Sequence, residues 1–237
     1  MGKNNYFQFK QFRIEQQRSA MKVGVDGVLL GAWAEVSQVK TILDVGTGTG
    51  LIALMMAQRS AAQITAIEIE QNAAEEATEN VVSSPWKGRV KVLHTSFQEF
   101  AKTSSQKFDL IVSNPPFFSK ASKAANNERT LARHNDSLPF DELMKFAPAL
   151  LSGRGSLTMI IPAETFAELD SLALHNQLYL KQVTEVQPKP SKKANRRLVQ
   201  WSKTKQEVNS DKLVIYENDG SFTKEYIALT RDFYLKF

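Results

Sequence analysis

The tetrapeptide Asn114-Pro115-Pro116-Phe117 follows an apolar run ending at Ser113, and its atoms suit one kind of chemistry. An amine conjugated to an aromatic ring becomes nucleophilic only as its nitrogen pyramidalises, and two acceptors aimed at its hydrogens favour that change. The Asn114 side-chain oxygen and the Pro115 carbonyl provide such a pair. The prolines stiffen the turn and bring no competing amide hydrogen. Phe117 adds a flat face on which an unstacked base can lie. A Pro-Pro pair can also merely end a strand, so the meaning of this one depends on its neighbours.

A second motif supplies them. Asp44-Val45-Gly46-Thr47-Gly48-Thr49-Gly50 connects a β-type run, Thr41 to Val45, to a helical pattern opening at Leu51. Glycines in such a turn let backbone approach a ligand closely, and the helix start offers free amide hydrogens. Glu68, 18 residues beyond Gly50, ends the next β-type run, where a carboxylate can accept from ribose hydroxyls. The spacing is G-x-G-x-G, one residue shorter than the dinucleotide fingerprint. A ligand with an amino-acid tail and a ribose suits it better than one with a pyrophosphate, which favours S-adenosylmethionine over NAD. Ligands of open parallel sheets sit beyond the carboxyl ends of the strands, so both motifs would border one crevice.

The elements that must position them follow an α/β rhythm. Thr41 to Val45, Ile64 to Ile69, Val90 to Leu93, Phe108 to Val112 and Ser156 to Ile161 read as strands, and Leu51 to Arg59, Gln71 to Val82, Asp141 to Leu151 and Ala163 to Asn176 as helices. This alternation predicts βαβ units and a parallel sheet covered on both faces. Leu178 to Val186 and Leu198 to Ser202 add two late strands and an antiparallel ending. Residues 1–35 read as an N-terminal extension over the sheet edge on the ligand side, with Asp26 capping a helix through Leu29, Leu30 and Trp33. Residues 36–237 carry the sheet, giving one domain. Ser119 to Ser137 reads as a long loop, of a length usually functional or mobile.

Composition narrows the class. The chain of 237 residues is 42% hydrophobic, and no run nears the roughly 20 apolar residues that span a bilayer. Met1 to Phe12 lacks the apolar centre of an export signal, and there is no cysteine, so a cytoplasmic location is expected. The three histidines, His94, His134 and His175, lack metal-ligand spacing, and no metal, membrane or protein partner is implied. Between Gln187 and Lys205 lie Lys189, Lys192, Lys193, Arg196, Arg197, Lys203 and Lys205 with no acidic residue. Without these seven, 23 basic face 25 acidic residues, so the net charge of +5 arises in this one segment. That distribution suits a polyanion, and Lys189, Lys192, Lys193, Arg196 and Arg197 are the candidate RNA contacts; a solvated basic loop is the plainer alternative.

Together, Asp44 to Gly50, Glu68 and Asn114 to Phe117 resemble the amino-methylating class I, Rossmann-like methyltransferases. Phe12-Arg13-Ile14, Lys22 through Gly31, Phe97-Gln98-Glu99-Phe100 and Leu229 through Tyr234 extend the resemblance to the bacterial tRNA adenine-N6 methyltransferases, which modify adenine 37 beside the anticodon of a valine tRNA. The resemblance implies a seven-stranded, mostly parallel sheet with an antiparallel last strand, S-adenosylmethionine as cofactor and tRNA as substrate. It implies that Asp44, Gly46, Gly48 and Gly50 meet the amino-acid end of the cofactor and Glu68 its ribose, that Asn114 to Phe117 hold the adenine, and that Lys22 to Asp26 close over the cofactor. Many such enzymes read the cofactor's adenine with an Asp after the third strand. Thr95 and Ser96 stand there instead, so the Ser96 hydroxyl or backbone near Phe97 is expected to serve. The tetrapeptide alone also fits guanine-N2, DNA-adenine and protein-glutamine methylation. The basic segment favours nucleic acid, and the lack of a DNA-reading domain favours RNA. A non-catalytic RNA-binding module on the same fold is disfavoured by two intact motifs.

Overall fold

The structure is a computed structural model, and it describes residues 4–115 and 140–237. The chain opens with an antiparallel hairpin, β1 (Tyr6–Gln8) and β2 (Arg13–Glu15), and helix α1 (Val25–Trp33). There follow β3 (Thr41–Val45), α2 (Leu51–Arg59), β4 (Gln63–Glu68), α3 (Gln71–Val82), β5 (Val90–His94), α4 (Phe97–Thr103) and β6 (Phe108–Ser113). After the undescribed stretch come α5 (Phe140–Leu150), β7 (Leu151–Pro162), a 3-10 turn (Ala163–Thr165) and α6 (Phe166–His175). β8 (Tyr179–Gln187), β9 (Arg196–Ser202), β10 (Asn209–Val214) and α7 (Lys224–Thr230) complete it.

Strands β3 to β10 form one sheet of eight, ordered β10-β8-β9-β7-β6-β3-β4-β5. β3 to β7 are mutually parallel, whereas β9 runs antiparallel to both β7 and β8, between which it is inserted. The mostly parallel, Rossmann-like sheet with one antiparallel strand is as expected, with one strand more than the expected seven. The reversed strand is followed by an eighth, β10, parallel to β8 at the sheet edge. Its sequence, Asn-Ser-Asp-Lys-Leu-Val, is mostly exposed and lacks alternation, because neither face of its first four residues is covered.

Alternate residues of each inner strand enter opposite cores, as a two-residue side-chain period requires. Ile42, Ile160 and Leu198 face a core shared with α1, α2 and the hairpin's Phe9, Phe12 and Ile14. Leu43, Ile161 and Val199 face the other, built with α4, α5 and α6. β7 begins directly after α5, five residues earlier than expected, because residues 152–155 bulge between the Phe108–Leu151 and Leu110–Ser156 pairs. Gly155 is required in that bulge: a Cβ there would lie 2.6 Å from the Phe108 carbonyl oxygen. Among the described residues no helix is long and apolar enough to cross a membrane.

Candidate active site

The carboxyl ends of β3, β4 and β6 bring the two motifs side by side. Val45 and Ser113 are register partners, and the buried Ser113 hydroxyl donates to the Val45 carbonyl at 2.8 Å, fastening the strand that leads into Asn114 to the strand that leads into Gly46. Pro115 is buried directly beyond it. Pro116, Phe117 and the expected loop from Ser119 to Ser137 lie outside the described residues.

The glycine loop is a left-handed turn. Gly46, Gly48 and Gly50 have φ of 72°, 56° and 82°, a region in which any other residue would be strained. A side chain on Gly46 would meet nothing within 4 Å, so the loop opens onto free space there. Asp44 holds the turn from beneath: one oxygen, Oδ2, accepts from the Thr47 hydroxyl at 2.6 Å and the Ala53 amide at 3.1 Å. Its other oxygen, Oδ1, is buried and has no hydrogen-bond partner among the described residues. Burial pushes this carboxyl up to about 7, against the lowering effect of its Thr47 and Ala53 hydrogen bonds, and the nearby Glu68 charge adds to the rise. A buried acceptor without a donor fits a cationic ligand group such as an ammonium.

Glu68 closes the far side of the loop. Its Oε2 accepts from the Gly48 amide at 2.8 Å, and Oε1 accepts from Ile69 and Glu70 at 2.9 and 3.0 Å. The carboxylate thus organises backbone, and its remaining lone pairs can still accept hydroxyls. Beyond β5, Ser96 is the N-cap of α4 and its Oγ accepts from the Glu99 amide at 3.1 Å, which leaves its hydroxyl hydrogen and one lone pair for a ligand. The Phe97 ring does not face the crevice; it is buried in the second core against Phe146. Only its backbone can serve the role expected of it.

The N-terminal extension supplies a wall. A Cβ on Gly27 would sit 3.0 Å from Leu51 Cδ2 and 3.8 Å from Asn114 Nδ2, so the start of α1 abuts both motifs. Asp26 does not cap this helix: Gly24 occupies that position, and Asp26 in the first turn pairs with Arg196 at 2.9 Å. A carboxylate there also complements the helix dipole. Lys22 is exposed and donates to the Asn4 carbonyl at 3.2 Å.

The basic segment divides in two. Arg196 pairs in register with Pro162 and Val186 at the carboxyl edge, whereas Ser202 pairs with Ser156 and Tyr179 at the other edge. Lys203 and Lys205 therefore lie across the sheet from the site, roughly 20 Å from Arg196 at about 3.3 Å per residue. Lys192 and Lys193 are exposed in the β8–β9 turn beside the site, and Lys189 is partly so. Arg197 lies over the Phe166 ring and pairs with Glu185 at 2.8 Å. Among the described residues no group of three or more His, Asp or Glu could hold a metal.

Sequence reasoning passed over Ser113, Gly27, and two buried polar residues of α3, Glu76 and Asn80. The last two had a readable signal, since they share the buried face of α3 with Ala73, Ala77 and Val81.

The family model of the methyltransferase small domain matches residues 26–168. The chain is similar to the tRNA1(Val) (adenine(37)-N6)-methyltransferase of Flavobacterium psychrophilum, at 47% identity over 97% of this chain and 99% of that one. To the same-named protein of Bacteroides fragilis it is 44% identical over 98% of each. Among solved structures, one from Agrobacterium tumefaciens described as a predicted O-methyltransferase shares the fold, with a TM-score of 0.67 at 21% identity, covering 88% of this chain and 96% of that one.

Proposed function

The chain belongs to the tRNA1(Val) (adenine(37)-N6)-methyltransferase family, and from that membership we propose that it transfers a methyl group from S-adenosylmethionine to the N6 amine of adenine 37 in a valine tRNA. The observation that carries the reading is the placement of Asn114 beside a left-handed glycine loop, fixed by the Ser113–Val45 hydrogen bond.

When bound, the cofactor supplies an electrophilic methyl group on a sulfonium. The chain's own residues do the rest. Asp44 Oδ1 would take the ligand's ammonium, the backbone at Gly46 and Gly48 would hold its amino-acid tail, and Glu68 would accept from its ribose. Ser96 and the Phe97 backbone, at the N-terminus of α4, would hold its adenine. Asn114 accepts one hydrogen of the target amine through its side-chain oxygen, and the Pro115 carbonyl accepts the other. These contacts strengthen as the nitrogen pyramidalises, so they stabilise the transition state more than the ground state. Pro116 and Phe117, outside the described residues, belong to the same motif. Lys189, Lys192 and Lys193 contact tRNA phosphates, while Arg196 and Arg197 act mainly through their protein partners.

Incubation with labelled cofactor and valine tRNA transcripts tests this reading. It expects the label in N6-methyladenosine, and only when adenine occupies position 37. Label in protein, or in 2-methylguanosine, would overturn it.

A further inference from the structure

Helix α3 carries a carboxylate where a helix facing a core should be apolar. Glu76 is 1% exposed, and no cation pairs with it among the described ion pairs. Its charge is met by three consecutive backbone amides instead. Oε1 accepts from Gln17 at 2.6 Å and Arg18 at 2.9 Å, and Oε2 accepts from Ser19 at 2.9 Å. A buried carboxylate costs stability unless it is fully hydrogen-bonded, and several converging amides satisfy it.

One turn further along, Asn80 is 2% exposed and repeats the pattern. Its Oδ1 accepts from the Glu15 amide at 2.8 Å, while Nδ2 donates to the Glu15 carbonyl and to the Thr49 carbonyl, each at 2.9 Å. Thr49 belongs to the glycine loop. Between the two polar residues, Ala77 packs against Gly50, 3.5 Å from where a Cβ would stand. A Cβ on Gly48 would in turn lie 3.8 Å from the Ser19 hydroxyl. One face of α3 therefore holds the glycine loop and residues 15–19 at the same time, and sets Ser19 over the loop.

We propose that Glu76 is a positioning residue for cofactor binding, fixing residues 17–19 as a cover over the glycine loop, with Asn80 tying the same cover to the loop itself. The proposal rests on the reading of that loop as the S-adenosylmethionine site. Glu76 touches neither the cofactor nor the base; it acts through the backbone it holds. Without it, the three amides would have to find other acceptors and the cover would move off the ligand.

The test is calorimetric titration of the full chain with S-adenosylmethionine, paired with steady-state methylation of tRNA. Glu76→Gln keeps the size but replaces one accepting oxygen with a donor that opposes an amide. Its dissociation constant and its Michaelis constant for the cofactor should rise about tenfold or more, with kcat at saturating cofactor and the Michaelis constant for tRNA within about twofold of the wild type. Glu76→Asp, which retains both oxygens, should recover part of the affinity. Affinity in Glu76→Gln within twofold of the wild type overturns the proposal, as does an equal fall of kcat with unchanged cofactor affinity. Wild-type protein that binds no cofactor would instead remove the site on which the proposal rests. Hydrogen exchange on the wild type decides the matter even if a variant does not fold. The amides of Gln17, Arg18 and Ser19 should exchange slowly and become slower with cofactor, and solvent-like rates in both states would overturn the proposal.

Discussion

Asp26 and Arg196, 170 positions apart, form an ion pair of 2.9 Å that joins the first turn of α1 to the first residue of β9. Gly27, the next residue, abuts Asn114, so the pair fixes one wall of the crevice to the antiparallel strand. Arg196 is thus already engaged within the protein before any RNA arrives.

This engagement separates the arginine from the lysines nearby. Lys192→Ala combined with Lys193→Ala should flatten the salt dependence of tRNA binding by roughly 0.7 to 0.9 in log-log slope for each phosphate left without its lysine. Arg196→Ala should change that slope little, and raise the cofactor dissociation constant more. Fluorescence anisotropy of labelled tRNA across a salt series, beside calorimetry with the cofactor, measures both. Equal slope changes in the two variants would return Arg196 to the phosphate-binding set.

Asp44 should make cofactor affinity depend on pH. Burial lifts its carboxyl from 3.8 to about 7, so the folded chain keeps a proton there that the unfolded chain has already released. Between those values the unfolded state binds fewer protons, and this group's contribution to stability falls as pH rises, reaching its full loss above about 7. An ammonium ligand prefers the ionised form. S-adenosylmethionine affinity should therefore rise by up to about tenfold per pH unit towards 7, level off once the carboxyl is ionised, and fall as an α-amino group, near roughly 8, loses its own proton. Calorimetry from acid to mildly alkaline pH follows the curve. Asp44→Asn should bind weakly with no such rise, and a flat wild-type profile would exclude the ammonium contact.

Glu68→Ala should weaken cofactor binding tenfold or more, since hydrogen bonds to a charged acceptor are worth roughly 1.5 to 3 kcal/mol each. It should also lower the melting temperature, because the amides of Gly48, Ile69 and Glu70 lose their acceptor. Weak binding with no loss of stability would mean those amides find other partners readily.

Asn114→Ala should reduce kcat by about a hundredfold or more while leaving the cofactor dissociation constant nearly unchanged. Single-turnover methylation beside calorimetry separates the two effects. A normal rate would remove Asn114 from the chemistry.

The chemistry was legible in the sequence because it depends on local features. Gly46, Gly48 and Gly50 at alternate positions, with Asp44 before them and Glu68 closing the next strand, dictate a turn that only glycine tolerates, and an Asn-Pro-Pro turn carries its acceptors in its own backbone and side chain. The parallel inner strands were equally plain, since each is short, apolar and followed by a helical period. What spans the chain was not legible. That β9 inserts between β7 and β8, and so parts Lys203 and Lys205 from the lysines of the β8–β9 turn, follows from strand pairing rather than from spacing. β10 escaped notice because the uncovered faces of its first four residues need no alternation. Nor did the sequence show that Ser96 would be taken up as the cap of α4 and that the core would claim the Phe97 ring. The pairings of Asp26 with Arg196 and of Glu76 with residues 17–19 likewise exist only because helices and extension are packed against one another. Hydrogen bonds between residues far apart in the chain have no local signature, and tertiary packing alone selects them.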